Sequence, residues 1–286
     1  MNTSTEALSA WIGRSETLHD HLHPWPMQAL AATLDHAPAA VAQGTVLPPL
    51  WHWLYFLPRH RQSEVGADGH PQRGGFLPPV PLPRRMWAGS QLEFRAPLRI
   101  GDAVQRRSTL ADVSAKSGRS GELVFVKLRH ELFCNGAAEA ALVEHQDIVY
   151  REAQRAGDLP PPPQPAPADA AWQREWRPDE VLLFRYSALT FNGHRIHYDQ
   201  PYATTVEGYP GLVVHGPLIA TLLLDLLHRE VPAAQVAGFR FRALRPTIAG
   251  RPMRVNGAPQ ADDRSVQLWA QDHEGWLTMD ATVTLR

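Results

Sequence analysis

The sequence predicts an α+β fold built twice over, each half one enclosed helix followed by a run of antiparallel strands. Three observations carry this expectation. A proline run, Pro160-Pro161-Pro162-Pro163-Gln164-Pro165-Ala166-Pro167, divides the 286 residues into parts of roughly 150 and 120, each an ordinary domain size. Residues 44–54 and 211–221 align without a gap, and both lead a small-apolar stretch into a buried helix. Beyond each helix the apolar pattern changes to period two, as a half-buried strand requires.

In the first half, Gly44-Thr45-Val46-Leu47-Pro48-Pro49-Leu50-Trp51-His52-Trp53-Leu54 opens a bulky, aromatic helix. Phe94-Arg95-Ala96-Pro97-Leu98-Arg99-Ile100-Gly101 then echoes Phe241-Arg242-Ala243 and Pro246-Thr247-Ile248-Ala249-Gly250, with proline and glycine four apart in both copies. Strands follow at roughly 103–116, 121–134 and 138–150, and in the second half at roughly 251–259, 264–272 and 276–286. Proline lacks an amide donor and fixes its own φ, so the run between the halves is a stiff, solvated spacer. The second helix carries Leu218, Ile219, Leu222, Leu223 and Leu226 on one stripe with Leu224 and Leu227 beside it. A helix so apolar around its circumference must be enclosed, and a sheet curved around it encloses it with short hairpins. The expected division is 1–155, a linker at 156–172, and 173–286.

Composition excludes several classes. A formal charge of −1 gives no electrostatic reason to expect nucleic acid or an anionic membrane. No apolar run reaches the roughly 18 to 20 residues of a membrane span, and the N-terminus lacks signal-peptide blocks. The single cysteine, Cys134, reads as a packed thiol in a strand and points to a reducing compartment, so a cytoplasmic protein is expected. There is no glycine-rich phosphate loop, Cys/His metal spacing or Gly-x-Ser-x-Gly elbow. His19, His21 and His23 read as incidental surface groups, so no metal, flavin or nicotinamide is implied.

The chemistry concentrates in Asn192-Gly193-His194-Arg195-Ile196-His197-Tyr198-Asp199 and the following Gly211-Leu212-Val213-Val214-His215-Gly216-Pro217-Leu218. Imidazoles, a carboxamide, a carboxylate and a Gly-Pro helix start are what a water-adding or water-removing site needs. At Gly216 the bare helix amides and dipole present positive charge, so its N–H is an oxyanion donor, unless the glycine serves close packing alone.

A helix wrapped by an antiparallel sheet, duplicated in one chain, resembles the double hotdog fold: two antiparallel sheets, each around a long central helix. Residues 180–286 resemble the MaoC-like (R)-specific enoyl-CoA hydratases (hydratase 2). Their signature runs Asp, any residue, Asn, Pro, an aliphatic residue and His, with a His-Gly pair opening the central helix. The first half is similar to the degenerate N-terminal domain of FAS1-like dehydratases in Asp68-Gly69-His70, Arg73-Gly74-Gly75-Phe76-Leu77-Pro78-Pro79 and Pro83-Arg84-Arg85-Met86-Trp87-Ala88-Gly89. Thr190 to Asp199 looks most like the mesaconyl-C4-CoA (3-methylfumaryl-CoA) and itaconyl-CoA hydratases.

The resemblance implies reversible hydration of a short, branched or carboxylated enoyl-CoA, mesaconyl-C4-CoA or itaconyl-CoA giving citramalyl-CoA. A straight-chain (R)-3-hydroxyacyl-CoA dehydratase, a hotdog thioesterase and a non-catalytic acyl-CoA binder are the alternatives. Coenzyme A enters as part of the substrate and no other cofactor is implied; a second copy of the chain, as a homodimer, is the one protein partner considered. His197 falls on the signature histidine as general acid/base. Asn192 stands where the family has its catalytic aspartate, and an amide can orient water but not accept its proton. Either His197 transfers the proton alone or another group substitutes. Asp199 is one candidate, with loop capping as its other reading. His194 and Tyr198 are placed as substrate contacts or structural hydrogen-bond formers, and His215 as a substrate neighbour that braces the turn. Arg240, Arg242 and Arg84 are candidates for coenzyme A phosphates, and an arginine or histidine of the first half for a free acyl carboxylate. The aromatic stretch Trp51 to Phe56 reads as an acyl-pocket wall or as core, and no chemistry is expected from the first half.

Overall fold

The period-two segments become strands in the computed structural model, which describes residues 5–118, 121–153 and 162–286. Residues 154–161, which include Pro160 and Pro161 of the proline run and the expected start of the linker, lie outside the described residues. The first half contains α1 (Thr5–Ser9), β1 (Ser15–His21), α2 (Pro24–Thr33), β2 (Arg84–Phe94), β3 (Ala103–Gly118), β4 (Gly121–Cys134) and β5 (Leu142–Arg151). The second contains β6 (Trp172–Trp176), α3 (Glu180–Thr190), α4 (Gly216–Glu230), β7 (Val236–Ala243), β8 (Met253–Pro259), β9 (Ser265–Gln271) and β10 (Leu277–Leu285). Alternation thus located six strands closely and gave no range for β1, β2, β6 and β7.

The ten strands form one sheet, in the order β1-β3-β4-β5-β2-β7-β10-β9-β8-β6, where two separate sheets were expected. The halves join through β2 and β7, antiparallel from Gly89 opposite Arg242 to Glu93 opposite Gly238. Left apart, each half would present a strand edge of unpaired amides and carbonyls; joining the edges satisfies both. A period of two says which face is buried but not which edges meet.

The repeated lead-in is real. Val46 bridges Arg99 as Val213 bridges Ile248, and the amides of Leu47 and Val214 donate to the carbonyls of Leu98 and Thr247, each at 2.8 Å. Past the lead-in the two copies diverge. Every residue of α4 from Leu218 to Leu227 is buried, and each leucine contributes about 1.5–3 kcal/mol by leaving water. The helix expected in the first half is one 3-10 turn, Trp51–Leu54. Leu50 (φ 70°) and Phe56 (φ 56°) bracket it in left-handed conformation, and Pro58 bars continuation. The described end of the proline run is exposed but not free: Gln164 accepts from the Leu277 amide and Ala166 donates to Gly275. Cys134 is half-buried and burial pushes its thiol up to about 11, in keeping with a packed, unreactive sulfur.

Without a long helix, the first half fills its interior with a polar knot. The buried Glu144 carboxylate accepts from Ser90 Oγ at 2.7 Å, Trp53 Nε1 at 3.1 Å and His52 Nε2 at 3.4 Å. Burial raises its pKa, but His52, His130 and Ser90 outweigh that and hold it at about 2, below the ordinary 4.5. A depressed folded-state pKa contributes stability that is complete above about pH 4.5 and lost as the pH falls towards 2. Glu144→Gln is therefore expected to lower stability at neutral pH and to flatten its dependence on pH across that window. Near-UV circular dichroism during acid titration reads both.

Candidate active site

Asp179 starts α3 by accepting the Leu182 amide at 2.8 Å, the role of an N-cap residue. The helix ends at Phe191 in left-handed conformation (φ 47°). Asn192 Oδ1 then accepts the His194 amide at 2.9 Å, the turn a short amide side chain makes with its own backbone. One 3-10 turn, Arg195–His197, comes next and buries His197. Its Nδ1 donates to the Val213 carbonyl at 2.7 Å, which fixes the tautomer and leaves Nε2 as an acceptor. Burial pushes this imidazole down to about 4, so it is neutral near pH 7.

His197 stacks on His215, ring centres 3.6 Å apart and planes 19° from parallel. His215 caps α4 and shares a 2.8 Å hydrogen bond with Ser187 Oγ of α3, bracing the turn as expected; burial holds it far below the usual histidine range. Gly216 opens α4, and its N–H has no protein partner among the described residues. A Cβ there would meet nothing within 4 Å, so close packing is not the reason for the glycine. An imidazole whose free nitrogen can only accept therefore stacks on the residue that precedes an open helix amide.

A loop of the first half completes the cluster. Arg195 donates its amide to the Asp68 carbonyl at 2.9 Å and Nη1 to that of Ala67 at 3.0 Å. A Cβ on Gly69 would lie 1.7 Å from the Gly193 carbonyl oxygen, so the two loops touch backbone to backbone. His70 Nδ1 lies 3.0 Å from Asp68 Oδ2, and the His70 ring is 4.1 Å from that of His194, which in turn is 5.4 Å from His197. Burial, with His70 and His197 adjacent, pushes His194 down to about 2. Burial also lowers His70, against the opposing pull of Asp68; the Asp68 carboxyl, despite its own burial, is held well below the carboxylate range by His70. The first half thus places two titratable side chains, Asp68 and His70, in the cluster around His194. Asp68-Gly69-His70 is visible in the sequence, but no local pattern says that it crosses to the other half. Ligand atoms of Asp68, His70 and His194 all lie within 4.8 Å of one another, a spacing a divalent cation could also fill.

Asp68, His70, Asn192, His194, His197 and Gly216 line one cleft of about 2790 Å³ contributed by both halves; His215, placed as a substrate neighbour, is fully buried behind them and does not. The profile of the hydroxyacyl-thioester dehydratase type 2 family matches residues 50–249, most of the chain and both halves of the cleft. The chain belongs to the hydroxyacyl-thioester dehydratase type 2 family. As a member it is an enzyme of the hydratase and dehydratase class. Mesaconyl-C(4)-CoA hydratase of Chloroflexus aurantiacus is 47% identical over 281 residues, covering 96% of this chain and 97% of the relative. HtdX of Mycobacterium tuberculosis superposes with a TM-score of 0.64 at 18% identity, over 94% and 99% of the two chains. A second Mycobacterium tuberculosis protein, described as a double hotdog, matches at TM-score 0.60 and 14% identity over 98% and 97%. The double hotdog fold is therefore shared.

Within this dehydratase-family cleft several sequence expectations change. Asp199 does not line it: Oδ1 accepts the Tyr202 amide at 3.0 Å and Oδ2 binds Arg195 at 2.7 Å, the capping role. Arg240 and Arg242 are exposed on β7, on the face opposite the buried Phe239 and Phe241, because successive strand residues point to opposite sides. Neither lines the cleft. Arg84 does, but its charge is met by Glu207 at 3.1 Å and by the Glu207 carbonyl. Arg85 is half-buried in the cleft and makes no ion pair among the described residues, while its charge reaches Asp68, His70 and His194. Tyr198 stays exposed at the rim. Of the aromatic stretch, His52, Trp53, Tyr55 and Phe56 line the cleft and Trp51 does not. No helix among the described residues is long and apolar enough to cross a membrane.

Proposed function

We propose that this enzyme reversibly hydrates a short, branched or carboxylated enoyl-CoA, with mesaconyl-C4-CoA or itaconyl-CoA giving citramalyl-CoA. The observation that carries the reading is the pairing of His197, locked by Val213 with Nε2 open, and the unpartnered Gly216 N–H at the tip of α4. His197 Nε2 holds the attacking water by one hydrogen, while the water's other proton is taken by a base and returned at the α-carbon. The water oxygen bonds to the β-carbon, and charge gathering on the thioester oxygen is met by the Gly216 amide and the helix dipole. Asn192 Nδ2 remains available to orient water, since only its Oδ1 is used in the loop. The named relative supports the substrate class. Arg85, which makes no ion pair among the described residues, suits a free acyl carboxylate, the role expected of a first-half arginine or histidine. The reading needs no cofactor beyond the substrate's own coenzyme A, and the single, packed Cys134 fits a cytoplasmic enzyme.

A panel of mesaconyl-C4-CoA, itaconyl-CoA and crotonyl-CoA, monitored by loss of conjugated thioester absorbance, tests this directly. Carboxylated esters are expected to react faster than crotonyl-CoA; the reverse order would make it a straight-chain dehydratase. Release of free thiol with Ellman's reagent would make it a thioesterase. Arg85→Ala is expected to raise KM for the carboxylated esters by about 10- to 100-fold and to leave crotonyl-CoA unchanged.

A further inference from the structure

We propose that the Asp68–His70 pair of the first half is the second catalytic unit, taking the proton-accepting place that Asn192 leaves empty in the second half. The inference rests on the hydratase reading and goes beyond it by assigning where the water proton travels. Four observations converge. Asn192 cannot accept a proton, and its oxygen is already committed to the His194 amide. Asp68 accepts from both the backbone amide and the ring of His70, each at 3.0 Å, so Nδ1 carries the hydrogen and Nε2 is the free acceptor. Nε2 has no protein partner among the described residues, and His70 lines the same cleft as His197, one ring beyond His194. Finally, the backbone contact of Gly69 with Gly193 and the two bonds from Arg195 fasten this loop to the signature loop, so the pair is held rather than brought by chance.

The two imidazoles have different second partners, which decides their roles. His197 faces a neutral carbonyl through Nδ1, whereas His70 faces a carboxylate that stabilises the imidazolium. The attacking water therefore offers one hydrogen to each Nε2. As its oxygen forms the bond to the β-carbon, one O–H bond breaks and that proton passes to His70. The π electrons of the alkene move to the α-carbon and thioester oxygen, held at the Gly216 amide. The enolate then takes the same proton back from His70 at the α-carbon, its electrons forming the new C–H bond. The other hydrogen, held by His197, stays on the product hydroxyl. Water is added across the double bond, both imidazoles return to their starting state, and no oxidant or further reactant is required.

The test measures kcat and KM on the ester that the wild-type enzyme hydrates best. His70→Gln is expected to lower kcat by two to three orders of magnitude with KM within about three-fold, and Asp68→Asn, which keeps an acceptor for Nδ1–H but not the charge, by about 10- to 100-fold. His70→Ala should regain part of its rate on addition of free imidazole, a response that a purely structural histidine would not give. Circular dichroism establishes that each variant is folded, and Asp68→Asn decides the matter if neither His70 variant is. A kcat within three-fold of wild type in His70→Gln or in Asp68→Asn, or a folded, slow His70→Ala that is unresponsive to imidazole, overturns the assignment. Loss of wild-type turnover on dialysis against EDTA overturns it in favour of a cation at Asp68, His70 and His194. A wild-type enzyme inactive on every ester sinks the hydratase reading itself, an outcome distinct from the others.

Discussion

His197→Ala is expected to lower kcat by two to four orders of magnitude, about 3 to 5 kcal/mol of barrier, on the preferred enoyl-CoA. The effect is large because the substitution removes the acceptor that holds water beside the Gly216 amide, and no other side chain donates Nδ1–H to Val213 to restore one. Stability should fall far less. The substitution leaves the Val213 carbonyl short of one donor, at a cost of about 1–3 kcal/mol, while α4 keeps its leucines and its cap at His215. Stopped assays on the purified variant, with thermal unfolding alongside, separate the two effects. A variant that unfolds normally and still turns over at the wild-type rate would mean that the imidazole at the tip of α4 is not in the reaction.

Gly69→Ala is expected to be as damaging to activity and more damaging to the fold. Gly69 sits at φ +88°, a conformation that costs an L side chain about 1–3 kcal/mol, and its new methyl would fall 1.7 Å from the Gly193 carbonyl oxygen. That contact is backbone on backbone, so no rotamer change relieves it. The loop carrying Asp68 and His70 must lift away from the loop carrying His194 and His197, opening the cleft between the halves. Turnover should drop by at least two orders of magnitude and Tm by roughly 5 °C or more. Gly75→Ala, nearby in the same loop with no atom within 4 Å of its Cβ position and no positive φ, is the control and should leave both unchanged. Equal behaviour of the two variants would show that the loops do not depend on this close approach.

Much of this was legible in residue order. The long strands announced themselves by alternation, and α4 by leucines on all sides, because burial on one face or all faces leaves a periodic trace. The internal repeat was legible too: Val46 and Val213 do make equivalent bridges. The roles expected of Gly216 and His197 came from the chemistry of bare helix amides and from a family signature, and the structure brings both residues to one cleft. The missing first helix was harder, since a sequence can align with a helix start while Pro58 and two left-handed residues end it after one turn.

What the order of residues determined by itself is six of the ten strands, the buried helix, and the segments that carry His197 and Gly216. These depend on neighbours a few positions apart, whose spacing is fixed by the chain. The tertiary structure alone decided that two sheets are one and that Arg240 and Arg242 face away from the cleft. It also decided that Arg195 ties Asp199 to a capping role, and that Asp68 and His70 meet His194 from the other half. The joining of the sheets and the meeting of Asp68 and His70 with His194 turn on which edges and loops approach across more than a hundred residues of chain, and that is set by burying surfaces and pairing open strand edges, which no local period records.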